Sequence, residues 1–258
     1  MAVSGDGQNW FLLNASPDLS RQIGSTPALQ PAGTLRGSPI RGVLLTNGDV
    51  DHIAGLLCLR ERHDFTVYAS EATAQVIESN SIFRVLDRAR VTMKHLNDGH
   101  IVDIGFGLRV TPFFVPGKVP LHQEQGEIEI GGLGEATLGL EIEGGEGRFL
   151  YVPGCARMSE VVLRHAVGAD LILFDGTTYA DDEMVRLSLS DKTAWRMGHM
   201  AISGPEGSLS AFAKLEVGRK LYTHINNTNP ILVEGSLERL TVEAAGWQVA
   251  HDGLEIEL

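Results

Sequence analysis

Residues 42–57 read GVLLTNGDVDHIAGLL, an apolar strand pattern followed by a polar turn and an apolar helical pattern. The turn holds Asn47, Asp49, Asp51 and His52 within six positions. Carboxylate oxygens beside an imidazole suit a divalent ion such as Fe, Mn or Zn better than a metal that prefers thiolates. Asn, Gly and Asp are also ordinary turn residues, and Asp51 could simply cap the helix. The segment alone therefore leaves a metal site and a plain polar turn open.

The composition is that of an ordinary globular protein. Hydrophobic residues make up 43% of the 258 positions, and no Pro/Ser-rich linker or low-complexity stretch divides the chain. We therefore expect a single domain over residues 1–258. The net charge of -12 argues against nucleic acid as a partner, because phosphate binding needs a clustered basic surface. A small molecule or a peptide is the expected substrate.

The chain shows no targeting or membrane-spanning pattern. Its longest apolar runs, such as residues 171–174, fall far short of the roughly 18 residues that a spanning helix needs. The opening residues, MAVSGDG, lack the basic and apolar regions of a secretory signal. Two cysteines, Cys58 and Cys155, are too few for a disulfide framework. We expect a cytoplasmic protein without a membrane span.

Short apolar strand patterns alternate with amphipathic helical patterns along the chain. We predict strands at 10–13, 43–45, 66–69, 91–95, 108–114, 137–142, 149–152, 171–174 and 221–223, and helices at 53–62, 71–78, 159–165, 207–215 and 235–245. This plan indicates an α/β fold and allows two sheets packed face to face with helices outside. Polar residues follow five of the strands, which indicates a shared cleft at the strand ends. They lie at 49–52, Lys118, Cys155, Asp175 and His224.

The turn after residue 45 resembles the first metal motif of the metallo-β-lactamase superfamily, His-x-His-x-Asp-His, with Asn47 and Asp49 in place of the two leading histidines. The pattern Thr-Asn-x-Asp-x-Asp-His-Ile-x-Gly-Leu-Leu is similar to the branch represented by coenzyme PQQ synthesis protein B. Three further stretches fit that branch: NASPD at 14–18, FDGT at 174–177 and HINNTNP at 224–230. The resemblance covers essentially the whole chain. It implies a metallo-β-lactamase-like αββα sandwich, in which two mixed β-sheets pack face to face with helices outside.

The resemblance also implies a metal centre. Asp51 and His52 match the end of the first motif, His224 matches the superfamily's last metal-binding histidine, and Asp49 is a further candidate ligand. Two imidazoles and one carboxylate with open positions form the ligand set of non-haem Fe(II) oxygenases. We therefore expect Fe(II), with Zn as the alternative ion in purified protein. A water-exposed His52 and a core position for His224 are the alternatives without a metal.

Two departures from the superfamily pattern concern a second metal. Superfamily hydrolases usually have a histidine after the Pro-Gly turn and a bridging aspartate after the next strand, where this chain has Lys118 and Cys155. Without those ligands a dinuclear hydrolase loses its bridging hydroxide. Lys118 would face solvent or a substrate carboxylate, and Cys155 is expected to be a small buried residue.

Asp175 and His199 are the candidate catalytic residues. Asp175 ends an apolar strand, so it could accept a hydrogen bond from His52 or His224, or cap the next turn. His199 lies in MGHMAISG, which resembles the histidine loop of tRNA-processing superfamily members. Its imidazole could exchange a proton near a phenol, or it could be a simple exposed loop residue. Candidates for substrate binding are Asn47, Lys118, Arg157, Asn226 and Asn227.

The resemblance implies a role in the biosynthesis of pyrroloquinoline quinone (PQQ). The implied reaction is iron-dependent hydroxylation of the tyrosine of a Glu-Tyr-derived precursor peptide. A carrier that assists transport of PQQ or its precursor to the periplasm is one alternative, and a metallo-hydrolase is another. The expected partners are a peptide or quinone precursor and other proteins of the PQQ pathway.

Members of this family usually carry a further N-terminal segment with a strand, a Gly-rich turn and a Cys-x-Cys-x-x-Cys zinc site. None of these precedes Ala2 in this sequence, so the segment is missing from the expected fold. We therefore predict no structural zinc site. The missing strand would leave an exposed sheet edge that invites homodimer formation or instability.

Overall fold

A computed structural model describes residues 1–31, 33–34, 36–145 and 147–258. The chain divides into two compact units. Unit 1 comprises residues 1–112 and 119–125, and unit 2 comprises residues 113–118 and 126–258. The single domain expected over 1–258 stays a prediction. Within the described ranges, no helix is both long and apolar enough to cross a membrane.

Unit 1 is built on a five-stranded sheet whose strands follow one another in chain order. They are β1 (Ala2–Val3), β2 (Trp10–Leu13), β3 (Ile40–Leu44), β4 (Phe65–Ala69) and β5 (Val91–His95). β1 pairs antiparallel with β2, and the other pairs are parallel. The apolar side chains of β3 and β4 are buried, as expected for parallel strands covered on both faces.

Helices and a hairpin complete unit 1. The α-helices are α1 (Leu19–Ser25), α2 (Val50–Ile53) and α3 (Glu71–Ser79), and 3₁₀ turns span Pro27–Leu29, Ala54–Leu59, Ser81–Val85 and Leu121–Gln123. Ser70 caps the N-terminus of α3, since its side chain accepts a hydrogen bond from the Thr73 amide. The antiparallel strands β6 (Val102–Gly105) and β7 (Leu108–Phe114) form the hairpin, and β7 enters unit 2 at Phe113.

The helix predicted at 53–62 is only partly present, since α2 stops at Ile53 and a 3₁₀ turn follows. The Gly55 amide donates to the Ala15 carbonyl at 2.8 Å, and the His52 carbonyl accepts from the Ala15 amide at 2.7 Å. These two backbone groups are therefore engaged with the chain segment after β2. The same two hydrogen bonds fix the position of His52.

The second sheet has seven strands in the order β12-β11-β10-β9-β8-β7-β6. Unit 2 contains all of them except β6 and the first part of β7. The new strands are β8 (Leu138–Gly144), β9 (Gly147–Val152), β10 (Leu171–Asp175), β11 (Arg219–Thr223) and β12 (Trp247–Val249). β8 and β9 are antiparallel, whereas β9 to β12 are parallel. Both sheets are mixed, which confirms that part of the predicted fold.

The helices of unit 2 are short. They are α4 (Glu160–Ala166), α5 (Glu183–Arg186), α6 (Ala194–Met197), α7 (Ser208–Ala211) and α8 (Leu237–Ala244), with a 3₁₀ turn at Pro230–Leu232. The helix predicted at 207–215 is confined to α7, after which the Leu215 amide bonds to the Phe212 carbonyl three residues back. Phe174, Phe212, Tyr222 and Trp247 pack their rings together in the core.

Candidate metal centre

Asn14 and Thr46 connect the ends of two neighbouring parallel strands, β2 and β3. Asn14 Oδ1 accepts from the Thr46 amide at 2.9 Å, and its Nδ2 donates to Thr46 Oγ1 at 2.8 Å. Asn14 has a left-handed backbone conformation, φ 59°, which asparagine adopts more readily than most residues. The pair forms a fixed polar support at the start of the predicted metal motif.

His52 is buried, and Thr46 orients its ring. Nδ1 lies 3.3 Å from Thr46 Oγ1, and Nε2 lies 3.8 Å from Asp51 Oδ2. When Nδ1 carries the ring proton it donates to Thr46, and Nε2 becomes the atom that can bind a metal. The 3.8 Å separation fits two ligand atoms that each lie about 2 Å from one ion. Asp51 itself is largely exposed.

Asp49 and Asn47 make local hydrogen bonds within unit 1. Asn47 Oδ1 accepts from the Asp49 amide at 2.9 Å, which is a typical Asx turn. Asp49 Oδ1 accepts from the Leu121 amide at 3.0 Å. Asp49 therefore holds a neighbouring loop with one of its oxygens. Metal binding by Asp49 and substrate binding by the buried Asn47 stay predictions.

Three parallel strands of unit 2 end at one sheet edge, and each is followed by a residue singled out from the sequence. β9 leads to Cys155, β10 ends at Asp175, and β11 is followed directly by His224. Because parallel strands have their carboxyl ends at the same edge, the three residues are brought together.

The Asp175 carboxylate is completely buried and receives four hydrogen bonds. Oδ1 accepts from the Thr177 amide at 3.1 Å and from the Thr177 hydroxyl at 2.7 Å. Oδ2 accepts from the Cys155 amide at 3.0 Å and pairs with His199 Nδ1 at 2.7 Å. A carboxylate offers about four lone-pair positions, so Asp175 is saturated. These four hydrogen bonds suit Asp175 to positioning its neighbours, and its catalytic role stays a prediction.

Electrostatics keep Asp175 ionised. Burial alone would raise the pKa of this carboxyl, but the positive charge and the hydrogen bond of His199, together with His224 and Thr177, hold the pKa below its ordinary value. Asp175 therefore remains an acceptor for the imidazole. It orients His199, which was not the partner expected from the sequence.

The Thr177 hydroxyl lies between the two histidines of unit 2. Its Oγ1 is 2.9 Å from His224 Nδ1 and 3.1 Å from His199 Nδ1. A hydroxyl has one proton, so donation to Asp175 leaves Oγ1 to accept from the ring of His224. His224 then carries its proton on Nδ1 and would bind a metal through Nε2. Its backbone is left-handed, φ 53°, as is often found for residues fixed at functional sites.

Asp175, His199 and His224 each offer one ligand atom within 4.8 Å of the other two. The rings of the two histidines are stacked, with centroids 5.3 Å apart. Since Asp175 is already saturated, the metal donor that this cluster offers is an imidazole, and His224 is the one expected from the sequence. Neutral imidazole nitrogens suit both Fe and Zn. The imidazole nitrogens of unit 2 thus have the chemistry of metal ligands.

Lys118 and Cys155 stand where a dinuclear hydrolase would have its second set of ligands. Lys118 is half-buried, and its side chain packs over Gly198, next to His199. The Cys155 thiol donates to the Arg157 carbonyl at 3.0 Å. Burial, reinforced by the charge of Asp175, raises the pKa of this thiol far above its ordinary value. Cys155 is a neutral, buried side chain, as expected from the sequence.

The remaining candidates for substrate binding lie in two loops. Arg157 is exposed, and its Nε donates to the Gly131 carbonyl at 3.2 Å. Asn226 donates to Thr228 at 2.9 Å, and Asn227 is exposed. Thr228 in turn donates to the buried carboxylate of Glu183 at 2.6 Å, which anchors the loop after β11. Substrate binding by these residues stays a prediction.

Sequence reasoning assigned no role to Asn14, Thr46, Thr177 or Glu183. Asn14 and Thr177 belong to the stretches on which the family resemblance rests, but nothing in the sequence shows which side chain faces a histidine. Glu183 carries no sequence signal that distinguishes it from a surface acid. Its burial was therefore not predictable.

Comparison with known proteins identifies the family. Residues 9–225 match the family described as the Beta-lactamase superfamily domain. The chain is 49% identical over 258 residues to coenzyme PQQ synthesis protein B of Methylorubrum extorquens, covering all of this chain and 86% of that protein. It is also 49% identical over 259 residues to the protein of the same name from Xanthomonas oryzae pv. oryzae, with the same coverage.

A solved structure agrees with the sequence comparison. The crystal structure of Zn(2+)-bound PqqB from Methylobacterium extorquens superposes with a TM-score of 0.98 at 49% identity, covering 100% of this chain and 86% of that one. The fold expected from the resemblance, a metallo-β-lactamase fold with two mixed sheets and helices, is confirmed. The chain belongs to the family of coenzyme PQQ synthesis protein B, within the metallo-β-lactamase superfamily.

Proposed function

We propose that this chain acts in PQQ biosynthesis as a non-haem iron-dependent hydroxylase of the tyrosine in a Glu-Tyr-derived precursor peptide. The identity of 49% to coenzyme PQQ synthesis protein B over the whole chain supports the pathway. In this proposal Asp51 and His52 of unit 1 and His224 of unit 2 bind one Fe(II) ion, with Asp49 as a further candidate ligand. Two imidazoles and one carboxylate leave positions open at such an ion.

The presence of Cys155 where superfamily hydrolases usually have a bridging aspartate is the observation that carries the choice of reaction class. Its side chain is fully buried and its thiol donates to the Arg157 carbonyl, so this position offers no carboxylate to bridge two metals. The carboxylate nearest to it, Asp175, is saturated by four hydrogen bonds. A dinuclear hydrolytic centre would therefore lack its bridging ligand. A single metal with open positions fits an oxygenase better.

When bound, Fe(II) supplies the redox chemistry of hydroxylation with O2. The residues of this chain then have to position the phenol and accept or return its proton. His199 Nδ1 is fixed on Asp175 at 2.7 Å, so Nε2 is the atom at which a phenol proton is accepted or returned. Lys118, beside His199, and Arg157 carry positive charges for the carboxylates of the peptide.

Oxygen uptake tests the proposal directly. The protein is loaded anaerobically with Fe(II) and then mixed with O2, ascorbate and a Glu-Tyr peptide. We expect peptide-dependent oxygen consumption and a catechol product. Zinc-dependent hydrolysis of β-lactams, lactones or phosphodiesters without oxygen uptake would replace this proposal with a metallo-hydrolase. Tight binding of PQQ with neither activity would instead assign a carrier.

A variant of His52 links the activity to the metal. We expect His52→Ala to lose both bound iron and oxygen uptake, while circular dichroism shows an intact fold. His251→Ala is the matched control, because His251 is exposed and bonds only to the neighbouring Asp252 carbonyl among the contacts described. Full iron content in His52→Ala would remove this residue from the ligand set.

A further inference from the structure

Trp195 leaves a large aromatic surface open beside the histidines of unit 2. Its indole is 41% exposed, whereas Trp247 is buried and Trp10 is half-buried. Trp195 lies in α6, four residues before His199. Sites for small molecules are lined mainly by apolar and aromatic side chains, together with a few polar groups that orient the ligand. An open indole at this place therefore suits contact with a ligand.

Backbone hydrogen bonds fix Trp195 relative to His199. The Trp195 amide donates to Asp181 Oδ1 at 2.9 Å. The Ala194 amide donates to the Asp181 carbonyl at 2.7 Å. At the other end of α6 the His199 amide donates to the Ala194 carbonyl at 2.9 Å, and the Gly198 amide donates to the Trp195 carbonyl at 2.9 Å. The indole and the imidazole are thus carried by one short, well-anchored segment.

Gly131 lets the indole lie directly against the backbone. A Cβ at this position would come within 2.6 Å of Trp195 Cη2. The backbone of Gly131 is also left-handed, φ 78°, which favours glycine. Its amide donates to the Gly117 carbonyl at 2.8 Å, so the support of the indole is attached to the residue that precedes Lys118.

Arg157 reaches the same glycine. Its Nε donates to the Gly131 carbonyl at 3.2 Å and would lie 3.3 Å from a Cβ at Gly131. Arg157 is exposed, and no carboxylate pairs with it among the residues with described positions. The side chain of Lys118 adds a second positive charge, because it packs over Gly198, next to His199. An aromatic face beside a guanidinium suits a ligand that carries both an aromatic ring and a carboxylate.

We propose that Trp195 determines the specificity of the substrate site in unit 2. The exposed face of its indole contacts the aromatic ring of the substrate, and Arg157 pairs with a carboxylate of the same molecule. The ligand class is an aromatic carboxylic acid, of which a Glu-Tyr peptide is an example. Only the choice of that peptide rests on the proposed function, since the contacts themselves require neither iron nor O2.

Binding of dipeptides to the zinc-loaded full chain tests this role, because Zn²⁺ has no redox chemistry with which to consume the peptide. Calorimetry gives the dissociation constants of Glu-Tyr and Glu-Leu. We expect Trp195→Ala to raise the constant for Glu-Tyr at least about tenfold and that for Glu-Leu by less than about twofold, since leucine has no ring to stack. Arg157→Gln should raise both constants, because both peptides carry the same carboxylates.

Two controls truncate exposed side chains elsewhere on the chain. Leu237→Ala and Arg164→Gln match the loss of an apolar and of a cationic side chain, and both should bind the peptides as the parent does. Trp195→Phe keeps an aromatic ring and should retain most of the affinity for Glu-Tyr. If Trp195→Ala weakened the binding of both peptides equally, Trp195 would have only a structural role and the proposal would be wrong.

Tryptophan fluorescence provides a second readout. Saturating Glu-Tyr should change the emission of the parent, and this change should be absent from Trp195→Phe although the peptide still binds. Unchanged emission of the parent, or no binding of Glu-Tyr to it, overturns the proposal. Oxygen uptake separates this proposal from the proposed reaction. An iron-loaded protein that binds Glu-Tyr through Trp195 and consumes no O2 would contradict hydroxylation and leave the role of Trp195 standing.

Discussion

Thr177 determines how the histidines of unit 2 are presented. Its single hydroxyl contacts Asp175 Oδ1, His199 Nδ1 and His224 Nδ1 between 2.7 and 3.1 Å. Thr177→Val removes the acceptor for the His224 ring proton. The ring can then adopt either tautomer and a wider range of orientations. We expect the affinity for Zn²⁺ or Fe(II) to fall by about 10- to 100-fold, as is usual when such a support is lost. Anaerobic titration calorimetry measures this change.

Thr178 provides a matched control for that substitution. It is also fully buried, but its hydroxyl has no hydrogen-bond partner among the described residues. Thr178→Val should therefore leave metal affinity unchanged and be neutral or slightly stabilising. Thr177→Ser, which keeps the hydroxyl, should restore most of the affinity. Equal losses of metal affinity in Thr177→Val and Thr178→Val would show that the substitutions disturbed only the packing.

At the scale of elements, Gly55 allows the 3₁₀ turn after α2 to approach the segment after β2. A Cβ at this position would come within 2.2 Å of the Ser16 carbonyl oxygen and 2.8 Å of the Ala15 carbonyl oxygen, both of which are backbone atoms. We expect Gly55→Ala to lower the free energy of unfolding by about 1–3 kcal/mol, measured by urea titration. Gly24→Ala in α1 is the control, since nothing lies within 4 Å of a Cβ there. It should be neutral or stabilising by up to about 1 kcal/mol.

Glu141 of β8 attaches the end of α4 to the sheet. Its Oε2 lies 2.6 Å from His165 Nδ1 and 3.4 Å from Arg148. The hydrogen bond from His165, opposed by burial and aided by the charge of Arg148, lowers the pKa of Glu141. A lowered folded pKa adds stability above the unfolded pKa of about 4.3, and this stability is lost as the pH falls through the folded value.

Glu141→Gln should therefore lower the free energy of unfolding by about 1–2 kcal/mol at neutral pH. The difference from the parent should shrink as the pH falls from about 4 through the lowered folded pKa of Glu141, because the parent's side chain then becomes neutral as glutamine is. Urea unfolding at a series of pH values measures both. A difference that stays constant down to low pH would mean that the ion pair contributes nothing.

The strands and the core of this fold were more predictable than the geometry of its site. β2, β5 and β7 have the predicted bounds, because each combines an apolar run with clear turn residues. The two-residue β1 and the four-residue α5 and α6 are too short to show a period, and they were not predicted. Asp175 was recognised as a polar strand end. Its partner His199 lies 24 residues further along the chain, and no local sequence pattern predicts that the two side chains meet.

For the molecule as a whole, hydrogen exchange can decide whether one ion joins ligands from both units. If Asp51, His52 and His224 share an ion, added metal should slow exchange in segments 46–59 and 171–177 together. In His224→Ala, added metal should slow hydrogen exchange in neither segment. If the two units bind separate ions, added metal should still slow exchange in segment 46–59. A ligand whose free concentration is 100 times its dissociation constant stabilises the folded state by about 2.7 kcal/mol, so the slowing of exchange should be large.

The hydrogen-bond shell of Asp175 also sets the order of events during folding. Cys155, which donates to Asp175, is 20 residues away along the sequence, and His224, which contacts Thr177 of this shell, is 47 residues from Thr177. Such contacts form only after β9, β10 and β11 have associated, which is slow because long loops must close first. Metal binding therefore cannot nucleate this chain as it does a zinc finger. Metal should leave the refolding rate of unit 2 unchanged and act by slowing its unfolding.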